Sequence, residues 1–424
     1  MKETFSNSVR LKEDLCKGCI HCVKRCPTQA IRVRNGKAHI IKQFCIDCGE
    51  CIRVCPHHAK KAYYDPLSVM DNYKYKVALP APSFYAQFNN LDDINIVLRA
   101  LKLMGFDDVY EVSAAAEIVS ELSRDYIEKH KEDAPFISTA CPSVVRLIQV
   151  RFPSLIEHLL KVNAPVEIAA AEAKRIAIEK TGLAPEDIGV IFISPCPAKM
   201  TSVKNPVGCD KSAIDAVIAI KDVYPKILPF MLKACDMNDD LLHSGKIGLS
   251  WGSSGGESSG LLIDNYLAAD GIENVIKVLE DLEDQKFSDL EFIELNACSG
   301  GCVGGVLQVE NPYVAKAKLK HIRKYMPVAN NHLKGAIPCN AYIDKEIEYR
   351  PVFNLGENFA DGLAKMERVE EICSRLPGLD CGSCGAPTCK ALAEDIVRGL
   401  ANEKDCVHML REYIHNMAKN LGEI

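Results

Sequence analysis

The sequence predicts an α/β protein whose main domain has largely parallel sheets. From about residue 75, short apolar runs alternate with segments of helical pattern, as expected for parallel strands joined by crossover helices. Three of the apolar runs, at 136–140, 190–195 and 292–297, are each followed directly by a cysteine. Buried parallel strands bring their carboxyl ends to one crevice, where open α/β folds bind ligands. We therefore expect these cysteines to meet at one site.

The individual elements are predicted from the pattern in chain order. Besides the three strands that precede cysteines, the last of which is placed at 291–295, strands are predicted at 76–79, 107–111 and 246–251. Helices are predicted at 93–104, 114–130, 144–160, 167–180 and 390–401, and after the Gly/Ser-rich segment 252–260. That segment lacks the Gly-Lys-Ser/Thr of a phosphate-binding loop. We expect its backbone to approach a bulky cofactor closely instead.

Bulk composition limits the partners. Apolar residues make up 48% and charged residues 25% of the 424 residues, as in folded globular proteins with a large core. The net charge of -6 provides no basic surface for nucleic acid. No apolar run reaches the ~18–20 residues of a membrane span, and the N-terminus lacks the apolar region of a signal peptide. We expect a cytoplasmic protein without membrane or nucleic-acid partners.

The chain has 20 cysteines, far more than packing requires. Disulfide scaffolds are usually small and secreted, whereas these cysteines cluster at metal-ligand spacings. The run C-x2-C-x2-C-x3-C-P occurs at 16–27 and again at 45–56. Bacterial ferredoxins use this run for two [4Fe-4S] clusters and exchange the fourth cysteine between them; zinc is a weak alternative. The predicted ligand sets are Cys16, Cys19, Cys22 and Cys55 for one cluster, and Cys45, Cys48, Cys51 and Cys26 for the other.

Two further sets of four cysteines are predicted. The crevice set comes after the three strands, and four thiolates suit a soft iron or iron–sulfur centre: Cys141, Cys196, Cys298 and Cys302. The tail set suits a third accessory [4Fe-4S] cluster, with zinc as a serious competitor: Cys381, Cys384, Cys389 and Cys406. Four cysteines remain, which we expect to be buried packing residues: Cys209, Cys235, Cys339 and Cys373.

The order of these motifs resembles that of [FeFe] hydrogenases over about residues 10–325. The doubled ferredoxin run carries the resemblance together with three short motifs: Thr-Ala-Cys-Pro at 139–142, Pro-Cys-Pro-Ala-Lys at 195–199 and Ala-Cys-x-x-Gly-Cys-x-Gly-Gly at 297–305. The tail motif at 376–389 is similar to small iron–sulfur domains of corrinoid proteins and of the sensory type of [FeFe] hydrogenase. The resemblance implies that the crevice domain has the hydrogenase fold.

The resemblance also implies an H-cluster, in which a [4Fe-4S] cube is joined to a diiron unit carrying CO, cyanide and a bridging azadithiolate. By motif position the four crevice cysteines would bind the cube, and Cys302 would also bridge to the diiron unit. Lys199 and Ser83 match the family residues that donate hydrogen bonds to the cyanides. An anion in a low-dielectric site requires such donors. The alternative for Lys199 is an ordinary surface lysine.

The chain departs from the productive enzymes of that family along the proton path. Ala140 stands where those enzymes have a cysteine that passes protons to the cofactor, and it carries no titratable group. Ser194 and Asn296 stand where two methionines flank the diiron unit. Losing a positioned acid–base group typically costs ~10²- to 10⁴-fold in rate, so we expect slow turnover. Three carboxylates are candidate substitutes, although solvated carboxylates are commoner: Glu257, Glu121 and Asp125.

The predicted function is the reversible heterolysis of H2 to protons and electrons, used in H2 sensing, with electrons passing through [4Fe-4S] clusters. A metabolic, ferredoxin-linked hydrogenase is the alternative within that class. An iron–sulfur assembly scaffold without the diiron unit is the alternative outside it. The expected partners are H2, protons, ferredoxin or a redox signalling protein, and maturation proteins. The predicted domains are an α+β two-cluster ferredoxin domain at 1–68, the H-cluster domain at 69–360 and a small helical iron–sulfur domain at 361–424.

Overall fold

The computed structural model describes residues 7–287, 289–333 and 337–421. The chain forms two compact units. The first comprises Ala62–Tyr349, Ile46–Gly49 and the residues before Val9; the second comprises Val9–Cys45, Glu50–Lys61 and the chain from Arg350 onward. None of the helices in the described ranges combines the length and the apolar character that a bilayer crossing requires. The three-domain division of the sequence stays a prediction.

The strands in chain order are β1 Val9–Leu11, β2 Ile31–Arg34, β3 Lys37–Ile40, β4 Lys60–Ala62, β5 Tyr75–Pro80, β6 Asp108–Val109, β7 Phe136–Ile137, β8 Ile188–Ser194, β9 Ala216–Ala219, β10 Tyr266–Asp270 and β11 Phe292–Asn296. The helices are α1 His21–Lys24, α2 Glu50–Arg53, α3 Ile94–Met104, α4 Val112–Lys129, α5 Pro142–Arg151, α6 Pro165–Thr181, α7 Pro197–Lys204, α8 Ile220–Cys235, α9 Lys246–Ser250, α10 Gly256–Gly260, α11 Ile272–Glu283, α12 Pro312–Ile322, α13 Phe359–Arg375, α14 Cys389–Val397 and α15 Val407–Asn420.

Two parallel sheets form the frame of the first unit. One has the strand order β6-β5-β8-β9 and the other the order β10-β11-β7, and every strand pair in them is parallel. The predicted parallel architecture is therefore confirmed. All three cysteine-preceding strands exist, but they are divided between the sheets: β8 lies in the first, whereas β7 and β11 pair with each other in the second.

The first sheet is covered on both faces. On β5, Val77 and Leu79 pack in a cluster with residues of α4 and α6, whereas Ala78 between them packs in a cluster with residues of α3 and α8. This alternation is the period of two that a strand imposes on its side chains. Strand β8 is buried at every position, which explains why its sequence is a continuous apolar run rather than an alternating one.

Several of the predicted elements are wrong in type or extent. The helix predicted after segment 252–260 lies within it as α10, and the helix predicted at 390–401 ends at Val397. The segment 246–251 is not a strand, because Lys246–Ser250 forms helix α9. Its alternating apolar residues fit a strand, but Gly248 lies so close to the Ser113 carbonyl of α4 that a Cβ there would collide with it. The predicted helix 144–160 ends at Arg151, because Pro153 comes shortly after and cannot continue the helical hydrogen bonding.

Several elements have no counterpart in the sequence prediction: β9, β10, α8, α11, α12, α13 and α15. Cys235 and Cys339, which we expected to be buried, are exposed, whereas Cys209 and Cys373 are half-buried. The packing prediction is therefore wrong for the first pair. A lone cysteine on a helix end or in a loop carries no periodic pattern from which its burial could be inferred.

The second unit combines the ferredoxin-like repeat with the C-terminal helices. Strands β2 and β3 form an antiparallel hairpin, and β1 pairs with β4. Asp395 of α14 is buried and accepts two hydrogen bonds from the Arg32 guanidinium, at 2.6 and 3.1 Å, and one from Arg34 at 2.9 Å. The same Arg34 donates to the Cys384 carbonyl at 2.8 Å. These contacts fasten the tail motif to the hairpin.

Replacing Asp395 by Ala should destabilise the second unit by about 3–5 kcal/mol, because it leaves the buried Arg32 charge without its carboxylate. Urea unfolding of the full chain measures this change. The control is Glu371→Ala, which removes an exposed ion pair with Arg375 in the same unit and should cost about 0–1 kcal/mol. Equal effects of the two substitutions would contradict the structural role of Asp395.

Candidate functional site

The crevice cysteines stand where strands end and turns or helices begin. Cys141 and Cys196 are each the last residue before a helix, α5 and α7, whose first residue is a proline. Proline at that position costs no hydrogen bond and fixes the helix start. Cys298 comes just after β11, and Cys302 begins a short 3₁₀ segment, Cys302–Gly304. The local sequence therefore ends each strand and changes the chain direction near a cysteine.

Cys141, Cys196 and Cys302 lie within electrostatic reach of one another. Burial raises the pKa of the Cys196 thiol to about 11, and the neighbouring Cys141 contributes. Burial likewise raises the pKa of Cys302 to about 12, with contributions from Cys196 and Cys141, while Lys199 opposes the shift. Cys298 is half-buried on the same loop as Cys302, and its carbonyl accepts a hydrogen bond from the Gly301 N–H. The structure thus brings together three of the predicted ligands and places the fourth beside them.

The loop that carries Cys302 depends on glycine. Gly300 and Gly301 have φ angles of 82° and 86°, a region that side chains other than glycine rarely adopt. A Cβ on Gly301 would collide with the backbone nitrogen of Ser254. The Ser254 N–H donates to the Gly300 carbonyl at 3.0 Å. The Gly/Ser-rich segment therefore lies against the cysteine loop, and its close approach to a cofactor stays a prediction.

Ser83 and Gln308 form a buried polar pair beside Cys302. The Gln308 side-chain amide donates to the Ser83 hydroxyl at 2.7 Å and to the Cys302 carbonyl at 3.0 Å. The Gln308 side-chain oxygen is buried and has no hydrogen-bond partner among the described residues. Buried acceptors are normally satisfied, so this atom indicates a group that the protein alone does not supply. The sequence prediction included Ser83 but missed Gln308.

Lys199 contacts the segment between strand β7 and Cys141. Its ammonium group donates to the Ala140 carbonyl at 2.9 Å. The Ala140 N–H donates to the Ser138 hydroxyl at 3.2 Å, and that hydroxyl donates to the Glu257 carboxylate at 2.7 Å. Lys199 and Ser138 therefore both hydrogen-bond the backbone of Ala140, and Ser138 links this backbone to Glu257.

Glu257 is buried beside a second buried carboxylate, Glu294. Burial raises its pKa to about 8, and the charge of Glu294 adds to the shift. Burial also raises the pKa of Glu294, although hydrogen bonds from Ser258 and Gly255 limit the increase. Two neighbouring carboxylates in a low-dielectric site do not both ionise readily. The sequence prediction missed Glu294, whose signal was a single carboxylate inside the apolar run Phe292–Asn296.

The other predicted residues are engaged elsewhere. The Ser194 hydroxyl exchanges hydrogen bonds with the main chain of Cys196, and Asn296 donates to Glu294 at 2.8 Å. Glu121 accepts from the Leu333 N–H and contacts the His332 ring. Asp125 pairs with Lys129 on an exposed surface. Of the three carboxylates predicted as candidate proton carriers, Glu257 is the one that hydrogen-bonds the segment before Cys141, where it accepts from the Ser138 hydroxyl.

The first ferredoxin-like set is also brought together. Burial raises the pKa of Cys22, and Cys19, Cys55 and Cys16 contribute. Backbone N–H groups point at the sulfurs of three ligands: Ala38 to Cys16 at 3.4 Å, Ala59 to Cys55 at 3.3 Å and Ala30 to Cys26 at 3.2 Å. Hydrogen bonds to sulfur are a usual feature of iron–sulfur sites. Of the second set, Cys26, Cys45 and Cys51 lie in the second unit and Cys48 in the first.

The tail cysteines lie in the second unit, where Cys384 is close to Cys406 and Cys389 is close to Cys373. Burial raises the pKa of Cys384, with a contribution from Cys406. Burial also raises the pKa of Cys373, with a contribution from Cys389, so this half-buried cysteine lies near the predicted ligands. Cys381 is exposed. In the described ranges, no three Cys, His, Asp or Glu side chains are close enough to hold a single metal ion.

The chain belongs to the family described as "Iron only hydrogenase large subunit, C-terminal domain". The family matches residues 74–258 and 254–306, which is more than half of the chain. A family described as "4Fe-4S dicluster domain" matches residues 8–56, and a family of Fe-S cluster domains matches residues 376–408. The resemblance found in the sequence is thereby confirmed at the level of the hydrogenase family and of its iron–sulfur domains.

Individual relatives are distant. The chain is 24% identical over 305 residues to Iron hydrogenase 1 of Clostridium pasteurianum, covering 59% of this chain and 53% of that protein, so it spans about half the length of that relative. It is 26% identical over 376 residues to the periplasmic [Fe] hydrogenase large subunit of Nitratidesulfovibrio vulgaris, covering 73% and 88%. A solved [FeFe]-hydrogenase HydA1 from Chlamydomonas reinhardtii has a TM-score of 0.47 at 17% identity, covering 58% and 84%.

The stability of the metal-free chain should fall as pH rises, because Glu257 must ionise in a buried site. Its folded pKa of about 8 lies above the ordinary 4.5, so its contribution to stability is complete below about pH 4.5 and is lost as pH rises through 8. Glu257→Gln should flatten the free energy of unfolding against pH over that window, which chemical denaturation at several pH values measures.

Glu121→Gln is the matched control for this measurement. Burial would raise the pKa of Glu121, but the Leu333 N–H and His332 together lower it. Its contribution is therefore present above about pH 4.5 and lost as pH falls through the lowered pKa, so the control should leave the slope above pH 4.5 unchanged. An unaltered slope in Glu257→Gln would show that Glu257 ionises at an ordinary pH.

Proposed function

We propose that this chain catalyses the reversible heterolysis of H2 to two protons and two electrons, at an H-cluster held by Cys141, Cys196, Cys298 and Cys302. The mutual approach of the Cys141, Cys196 and Cys302 thiols, with Cys298 on the same loop as Cys302, is the observation that carries the proposal. The bound cofactor would supply an open iron site and a basic amine for splitting H2. The protein places this group, donates hydrogen bonds to it and conducts protons and electrons.

The residues around the thiols fit the rest of the cofactor. Buried thiols with raised pKa values ionise only when a cation stabilises the thiolates, which bound iron does. Lys199 and Ser83 are the proposed cyanide donors. Lys199 offers ammonium hydrogens at the end of the first cysteine strand, and Ser83 is fully buried beside Gln308. Both could donate to an anion in a site from which water is excluded.

Protons would move through Glu257 rather than through a cysteine. With a pKa of about 8, Glu257 holds a proton near neutral pH, and a carrier works best when its pKa lies near the working pH. Its carboxyl group accepts a hydrogen bond from the Ser138 hydroxyl, which itself accepts one from the Ala140 N–H. No titratable side chain stands at Ala140 itself, so the last step towards the cofactor would require water and would be slow.

We propose that this slow turnover serves H2 sensing. Electrons would leave through the accessory clusters predicted for the ferredoxin-like and tail cysteines, to ferredoxin or a redox signalling protein. A metabolic, ferredoxin-linked hydrogenase would use the same site with a faster proton path. Maturation proteins would have to deliver the diiron unit in either role.

An iron–sulfur scaffold without the diiron unit is the alternative from another class. Ala140 is not titratable, and Ser194 and Asn296 hydrogen-bond within their own strand ends, so the residues expected to face the diiron unit provide little for it. The buried, unsatisfied Gln308 oxygen and the Lys199 ammonium beside the thiols favour the enzyme. Any H2 turnover by chain loaded with the diiron unit would exclude a pure scaffold.

Replacing Ala140 by Cys should raise H2 turnover by up to roughly 10²- to 10⁴-fold, because a positioned thiol restores a proton carrier next to the cofactor. H2 production and oxidation by fully loaded protein measure this change. Ala140→Ser is the matched control, because it has similar size but a hydroxyl that does not ionise in this pH range. Equal rates in the wild type and both variants, at equal cofactor content, would refute a rate limit at this position.

A further inference from the structure

The two halves of the ferredoxin-like repeat share backbone features after their last cysteine, and one buried position there carries very different residues. Cys26 to Ile31 corresponds to Cys55 to Lys60 along the repeat. In each half the third residue after the last cysteine has a positive φ, 52° at Gln29 and 49° at His58. In each half the next residue, Ala30 or Ala59, donates its N–H to the sulfur of that cysteine. The pseudo-symmetry is therefore close at the level of individual hydrogen bonds.

Ile31 and Lys60 are the equivalent residues that break this symmetry. Each begins a strand, β2 or β4, and both are almost completely buried, at 2% and 1% exposure. An isoleucine is an ordinary core residue, whereas lysines are almost never fully buried without a partner. The Lys60 ammonium nitrogen has no hydrogen-bond partner among the described residues. A buried charge without a partner is costly, so this ammonium requires a negative group that the protein does not provide.

The thiols near Lys60 indicate which negative group would compensate its buried charge. The Lys60 ammonium lies within electrostatic reach of three thiols, those of Cys22, Cys55 and Cys26. The Lys60 backbone N–H also donates a hydrogen bond towards the Cys55 sulfur. Cys22 and Cys55 belong to one predicted cluster and Cys26 to the other, so the cation faces both clusters unequally. When these thiols ionise and bind iron, the anionic clusters offset the cost of burying the ammonium.

We propose that Lys60 is the buried counter-cation of the ferredoxin-like clusters, and that it makes the cluster of Cys16, Cys19, Cys22 and Cys55 easier to reduce than its pseudo-symmetric partner. Reduction adds one electron to a cluster, and a nearby cation stabilises the added charge; charge around the cluster is one of the determinants of its potential. Lys60 thereby sets the order in which electrons fill the two clusters. The inference rests on the accessory clusters of the proposed function, but it requires neither the diiron unit nor H2 turnover.

The test is a redox titration of the full chain reconstituted with iron and sulfide, monitored by electron paramagnetic resonance. Lys60→Met removes the charge and keeps the length, and Lys60→Ile installs the residue of the other half, so both should fold. The measured quantity is the ratio of reduced to oxidised forms of the cluster bound by the set that contains Cys22 and Cys55. At the wild-type midpoint potential of that cluster, this ratio should fall at least tenfold in both variants. A tenfold fall corresponds to a midpoint lowered by about 59 mV for one electron. Cys19→Ala and Cys48→Ala, each lacking one ligand of one set, assign the signals to the two clusters.

Lys61→Met is the matched control, since it removes a neighbouring, half-buried lysine from the same strand and should leave both midpoints in place. The proposal is overturned if Lys60→Met and Lys60→Ile keep full iron content and wild-type midpoints, or if both clusters shift equally. Absence of two [4Fe-4S] signals in the reconstituted wild type would overturn the cluster assignment and the role of Lys60 with it. Failure of H2 turnover alone would affect only the proposed function.

Discussion

The exclusion of water from the crevice thiols is the constraint on which the site depends. Desolvation raises the pKa of the Cys196 thiol to about 11 and that of the Cys302 thiol to about 12. They would therefore be neutral thiols near neutral pH, and only a cation can draw them into the ionised form that binds metal. Lys199 lowers the pKa of Cys302, but this effect does not cancel the increase that burial causes.

The same low dielectric governs the polar groups around the thiols. The Gln308 oxygen lacks a partner among the described residues, Glu257 holds its proton to about pH 8, and Lys60 in the second unit is buried without an acceptor there. Each of these buried groups would destabilise the folded protein if no cofactor were bound. The Lys60 ammonium would become favourable beside an anionic iron–sulfur cluster, whereas the Gln308 oxygen requires a hydrogen-bond donor.

The parts of the site that depend on spacing along the chain could be predicted from the sequence, and those that depend on packing could not. Cysteine runs and strand–cysteine–proline junctions are local, which is why Cys141 and Cys196 were placed correctly at strand ends. Glu294 and Gln308 were missed because their importance arises from residues more than 30 positions away, at Ser258 and Ser83. Helix α9 was predicted as a strand because its alternating apolar residues fit both structures, and only the close contact of Gly248 with α4 distinguishes them.

The most direct test of the central claim is infrared spectroscopy of the chain after insertion of the diiron unit. CO and cyanide stretching bands of a protein-bound centre should appear in the wild type. Lys199→Ala should move the cyanide bands more than the CO bands, because the ammonium is the proposed donor to cyanide, and Cys302→Ser should abolish all of them. Absence of these bands in wild-type chain that contains its [4Fe-4S] cube would contradict the account and favour the scaffold.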